Sequence, residues 1–220
     1  MYKTKDLFDL DQTIAKEYLE QFEYPWQALP GIKDFILQTI KTLDKSEYKE
    51  IKENVWVHNT AKIFDSAYID GPTIICKNAE IRQCAFIRGS AIIGEGSVVG
   101  NSCEVKNSIL FNTAEVPHFN YVGDSILGVH AHLGAGAVTS NLRSDRKNIV
   151  VKDGEIKYET SLKKIGALIG DNSEIGCNSV LNPGTILGKN CQVYPTSCVR
   201  GIVPENSIFK NSGEIVAKHN

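Results

Sequence analysis

The chain has 220 residues, 42% hydrophobic and 23% charged, which suits one water-soluble domain with a small appendage. A formal net charge of −2 and a pI of about 6.2 give no basis for binding nucleic acid or an anionic membrane. Met1 to Leu10 lacks the apolar stretch of a signal peptide, and no apolar run is long enough for a membrane span, so a cytoplasmic protein is expected. The six cysteines, Cys76, Cys84, Cys103, Cys177, Cys191 and Cys198, form no CxxC pair and are expected to be buried, reduced thiols.

Residues 1–50 read as a helical cap. Leu7, Leu10, Ile14, Tyr18 and Phe22 recur at helical spacing, and so do Ile32, Phe35, Ile36, Ile40 and Leu43, with Pro30-Gly31 between the two runs. This predicts a pair of amphipathic helices that close the open end of whatever follows, covering a strand edge that would otherwise be sticky.

From Val57 the pattern changes. Val57, Ile63, Ile69, Ile75, Ile81, Ile87, Ile93, Val99, Val105 and Phe111 stand every sixth residue, most preceded two positions earlier by a small residue such as Ala61, Ala79 or Cys103. A six-residue period belongs to parallel β-helix repeats, not to helices or to ordinary strands. Each hexapeptide predicts a short strand and a turn, and three of them one coil. The aliphatic residues stack inside the prism, and the glycines that follow many of them supply the turns. The period resumes at Leu127 and Leu133, and again from Ile169 to Val199.

Two interruptions are expected as inserted loops, at 112–125 and 140–164, within a β-helix spanning 51–203; 204–220 reads as a tail. The second loop carries seven basic residues against four acidic ones, and Ile149 to Glu159 alternates around Asp153-Gly154, a hairpin signal. Long loops leaving a regular solenoid are where function concentrates.

Arg88 and Lys106 each follow an inward residue and are one coil apart. They should therefore project from one edge about 4.8 Å from each other. Two stacked cations without a sequence-adjacent carboxylate suggest a phosphate site. His118, expected to be held off the regular wall by the first interruption, is a candidate proton acceptor. Gly134-Ala135-Gly136 would bring backbone amides close to a groove.

The stretch from Arg88 to Lys147 resembles the C-terminal acetyltransferase domain of bifunctional glucosamine-1-phosphate acetyltransferase/N-acetylglucosamine-1-phosphate uridyltransferases and of related sugar-1-phosphate nucleotidylyltransferases. The resemblance rests on Arg88-Gly89-Ser90, Gly100-Asn101 through Lys106, His118 through Ser125, Leu133 through Gly136, Ser140 through Arg143, and Lys147. It implies a left-handed parallel β-helix of about six to seven coils and a homotrimer with the site between subunits. It also implies acetyl-CoA as co-substrate and transfer to the amine of glucosamine-1-phosphate or galactosamine-1-phosphate. By the same resemblance His118 is the general base. Arg88 and Lys106 hold the 1-phosphate, with Tyr121 beside it. His132 and Asn141 face the sugar, Lys147 lies nearby, the Ala135 amide faces the thioester, and Cys177 touches the pantetheine arm.

His132 departs from the asparagine of the bifunctional family and bears on which sugar fits. Residues 1–50 are too short for a nucleotidyltransferase domain, so no nucleotidyl transfer is expected; a separate nucleotidyltransferase partner is left open. Three rivals stand beside this reading. One is a hexapeptide acetyltransferase for another sugar or a nucleotide-sugar. Another is a non-catalytic scaffold subunit. The third is a zinc-dependent γ-class carbonic anhydrase using His118, His130 and His132, disfavoured because His130 and His132 have only one residue between them, so no metal site is expected.

Overall fold

Short apolar strands alternate with tight corners whose residues take the left-handed conformation. Asn54, Asn78, Asn172, Asn178 and Asn190, with φ of 55° to 59°, are examples, and asparagine tolerates that region better than most residues. A computed structural model describes residues 1–218, which form a three-walled parallel β-helix with polar and helical additions. The first wall stacks Val55–His58, Thr73–Ile75, Ala91–Ile93, the second halves of Glu104–Leu110 and Tyr121–Leu127, Ala167–Ile169, Thr185–Leu187 and Ile202–Val203. The second stacks Lys62–Ile63, Glu80–Ile81, Val98–Asn101, Glu115–His118, His132–Leu133, Glu174–Ile175, Gln192–Val193 and Ser207–Phe209. The third runs from Tyr68–Ile69 to Cys198–Val199. The first two walls thus hold eight strands each, more than the six to seven coils expected. The interior is a continuous aliphatic column from Val55 to Phe209.

Several expectations need correction. The segment 112–125 is no loop: it is the strand Glu115–His118 and the start of Tyr121–Leu127. The corners at Lys106-Asn107 and Gly123-Asp124 are one residue shorter than the corner at Arg88-Gly89-Ser90. Ser108 therefore pairs with Ala91 while Val105 pairs with Ile87. Leu110, not Phe111, points inward, and Phe111 turns out to meet Phe8 with ring centroids 5.1 Å apart. The period had slipped by one residue rather than broken.

The glycines after aliphatic residues are not turn glycines either. They make room for the neighbouring coil: a Cβ on Gly134 would lie 2.7 Å from the Cys177 nitrogen, and one on Gly100 would overlap the Pro117 carbonyl.

The N-terminal helices do not close an end. Thr4–Leu7, Lys16–Leu19 and Ile32–Thr39, joined by 3₁₀ turns, lie along the outside of the first wall. Leu7, Leu19, Leu29, Ile32 and Ile36 are fully buried there against the outward residues Ile74, Ile92, Ile109, Ile126, Leu168 and Ile186. The reason is in those strands. They present apolar side chains to both faces, so the outer one needs its own cover. Tyr48–Lys52, antiparallel to Val55–His58, sits instead at the N-terminal edge of the helix. At the other end Ser207–Phe209 extends the second wall and Ile215–Ala217 pairs antiparallel with it, where the sequence suggested a patternless tail.

The second interruption does hold a hairpin, Val150–Asp153 with Ile156–Glu159. Ile149, Val151 and Ile165 bury beneath it, and Tyr158 packs edge-on to Tyr24 and Trp26 of the N-terminal segment. Of the six cysteines, Cys76, Cys103 and Cys191 are buried; Cys84, Cys177 and Cys198 are exposed, contrary to expectation. Among the described residues no helix is long and apolar enough to cross a membrane.

Candidate functional site

His118 closes its strand on the second wall, at the corner leading to the third, and is solvent-exposed. It is part of the wall, not of a loop. It pairs in register with Asn101 on one side, and on the other its carbonyl accepts from the Gly136 amide at 3.0 Å, placing it one coil from Ala135. The register His132↔Glu174 and Leu133↔Ile175, with the Ala135 carbonyl accepting from Asn178 at 2.8 Å, sets Ala135 over Cys177. His118, Ala135 and Cys177 are therefore successive residues of one column down the prism edge. The Ala135 amide has no acceptor among the described residues, leaving an unused donor one coil from His118.

Asn120 builds this corner, and sequence reasoning gave it no role of its own. Its side chain is buried. Oδ1 accepts from the His118 amide at 3.0 Å, and Nδ2 donates to the carbonyls of Gly134 at 2.8 Å and Ala137 at 3.0 Å. One carboxamide thus joins the candidate base to the turn that carries Ala135.

A second group lies on the corner between the third and first walls. The Arg88 amide donates to the Val105 carbonyl, so Arg88 and Lys106 stack as expected. They are not bare cations, however. Arg88 Nη1 meets Glu104 Oε1 at 2.6 Å, and Lys106 Nζ meets Asp124 Oδ2 at 2.8 Å. The Lys106–Asp124 pair is buried, with side-chain exposures of 16% and 8%. Asp124 also accepts from Asn107 at 2.9 Å and from Asn141, whose amide reaches Tyr121 Oη at 3.1 Å. Burial, reinforced by Asp124 and Glu104, raises the Tyr121 phenol above its usual range; it stays protonated and keeps its own hydrogen free to donate. The neutralising carboxylates were hard to foresee because they stand 16 and 18 residues away, on the neighbouring coil.

Of the expected site residues, Lys106, Tyr121 and Asn141 converge on Asp124. Arg88 sits one coil away. Lys147 is exposed on the loop before the hairpin; its backbone amide bonds Asp145 at 3.2 Å, and its side chain joins no hydrogen bond or ion pair of this group. His132 Nδ1 lies 2.9 Å from Glu174 Oε2. Both residues line a groove of about 300 Å³ with Gly134, Cys177, Tyr194 and Pro195. His130 bonds Thr113 instead, at 2.6 Å, so His130 and His132 face separate partners, and among the described residues no three ligating side chains converge on a metal position.

The family described as the GMPPB C-terminal domain matches residues 69–165, and the bacterial transferase hexapeptide (six repeats) matches 166–201. The bifunctional protein GlmU of Methanococcus maripaludis is 33% identical over 203 residues, covering 90% of this chain and 49% of its own. The uncharacterized acetyltransferase YaiX of Escherichia coli is 30% identical over 210 residues, covering 90% of this chain and 91% of its own. The chain belongs to the hexapeptide-repeat acetyltransferase family. It spans about half the length of the GlmU proteins it matches. Among solved structures, the polySia specific acetyltransferase NeuO superposes with a TM-score of 0.45 at 12% identity, covering 76% of this chain and 88% of that one, too loose a likeness to argue from.

Proposed function

We propose that this protein transfers an acetyl group from acetyl-CoA to the amine of an amino-sugar 1-phosphate. The observation that carries the reading is the column in which His118, the free Ala135 amide and Cys177 follow one another along one edge, with the Lys106-centred polar cluster at the next. The thioester lies against Ala135, whose amide faces the oxygen that becomes an oxyanion when the amine attacks. His118 takes a proton as nitrogen bonds to carbon. The thiolate then departs directly, so no covalent enzyme intermediate is required, and positioning supplies much of the rate. Lys106 and Arg88, with Tyr121, hold the sugar phosphate. To do so each cation shares its charge between the phosphate and its carboxylate.

Three copies arranged around the third wall complete the site. The first wall is covered by the N-terminal segment. The second presents Lys62, Glu80, Glu115 and Glu174 outward, whereas the third presents Tyr68, Phe86, Val138, Val180 and Cys198, with Glu104 and Tyr121 in the middle of the row. With that half-apolar wall turned toward a threefold axis, the His118 edge of one subunit meets the Lys106 edge of the next.

The test is to incubate the protein with acetyl-CoA and, separately, glucosamine-1-phosphate and galactosamine-1-phosphate, and to detect the acetylated sugar by mass. Product that the His118→Ala variant does not make supports the reading, and the absence of product from both sugars overturns it. The pairing of both cations with carboxylates favours one second reading, an acceptor whose anionic group is placed differently, such as a nucleotide-sugar.

A further inference from the structure

Resting on the reading just given, the balance of protons in N-acetylation leaves one unassigned. An ammonium acceptor carries three N–H bonds and the amide product carries one. The N–C bond forms, the C–S bond breaks with its electron pair leaving on sulfur, and two protons come off nitrogen. His118 can accept only one of them.

The groove holds a second imidazole built to take the other. His132 Nδ1 lies 2.9 Å from Glu174 Oε2, an arrangement in which Nδ1–H donates to the carboxylate and the Nε2 lone pair is left for a ligand. His132 and Glu174 line the groove together with Gly134 and Cys177. His132 lies three residues before Ala135 on the same coil, so along the wall it is about 10 Å from the column that carries His118. The groups facing it are all acidic or neutral at neutral pH. Glu115 is its register partner on the preceding coil, Glu174 on the following one, and Cys177 and Tyr194 line the groove. Among the described residues no lysine or arginine lines this groove. The His132 surroundings therefore attract a cation.

We infer that the His132–Glu174 pair is a second base. It takes the first proton from the incoming ammonium, so that the amine reaches His118 neutral, and Glu174 acts as the positioning residue that fixes the ring.

The experiment measures kcat/KM for glucosamine-1-phosphate, with galactosamine-1-phosphate as the second probe, across pH for the wild type and for His132→Asn. The window that decides lies just below the pKa of the substrate amine, where most of the acceptor is ammonium. In that window the wild type should stay nearly level, because it uses the ammonium form. The variant should follow the free-amine fraction, rising about tenfold per pH unit, and should approach the wild type above the pKa of the amine. As a readout independent of turnover, nitrogen-detected NMR should find the His132 ring as the Nδ1–H tautomer in the wild type and as a mixture in Glu174→Gln. Parallel pH profiles would overturn the second base and leave His132 a simple sugar contact. A wild-type profile that already tracks the free amine would overturn it as well. Wild-type protein that acetylates neither sugar would instead overturn the functional reading on which this one rests.

Discussion

Asn120 shows how much of this site hangs on one side chain. Its carboxamide satisfies three backbone groups on two coils, the part-buried amide of the candidate base and the buried carbonyls of Gly134 and Ala137 on either side of the candidate oxyanion donor. Removing it strands those groups at a cost of about 1–3 kcal/mol each where no water enters. The Asn120→Ala variant should therefore lower the melting temperature and, because His118 loses its anchor, lower kcat more than it raises KM; thermal denaturation and steady-state kinetics check both. His118, Tyr121 and Asn141 stood out in the sequence as candidates because a motif carried them. Asn120 lay in the same motif, yet nothing in its spacing said that it was buried. The ion partners of Arg88 and Lys106 were illegible for a related reason, since a solenoid brings together residues a coil apart and a linear reading looks a few positions either side.

At the scale of the strand, the six-residue rhythm revealed nearly all of the β-helix, because stacking demands that inward residues recur. It failed where two corners shortened by a residue. There Phe111 kept the rhythm but lost the orientation, and an apparent loop proved to be wall. The N-terminal helices were legible as amphipathic, but their docking place was not. Their apolar stripe could as well cover an end as a flank, and only the second apolar layer on the first wall decides between them. Phe111→Ala should therefore act on the flank rather than the prism. Emptying a fully buried aromatic site typically costs about 3–5 kcal/mol. Here the expected signature is that limited proteolysis releases the N-terminal segment while the β-sheet circular dichroism persists.

For the whole molecule, the three walls have three different fates: one is covered by the chain itself, one is charged, and one is half-apolar. The half-apolar wall makes the assembly prediction specific. Val180→Lys, on a partly exposed outward position of the third wall, should convert a trimer to monomers by light scattering while leaving the fold intact, and should abolish acetyl transfer because the two edges no longer meet. Lys62→Ala, on the second wall, should leave the mass unchanged.

The splint along the first wall has a consequence for the order of events in synthesis. Leu7 and Asp9 bond to Asp171, and the Tyr2 hydroxyl accepts from the Glu205 amide, contacts between residues more than 160 positions apart. The helix Ile32–Thr39, by contrast, lies against early coils such as Ala91–Ile93. During synthesis these N-terminal residues thus wait for partners made more than 160 positions later, and the coils between them must assemble with one flank still bare. Such distant closures slow folding. Once made, they bind a stack that would otherwise fray coil by coil into a single unit that opens all at once.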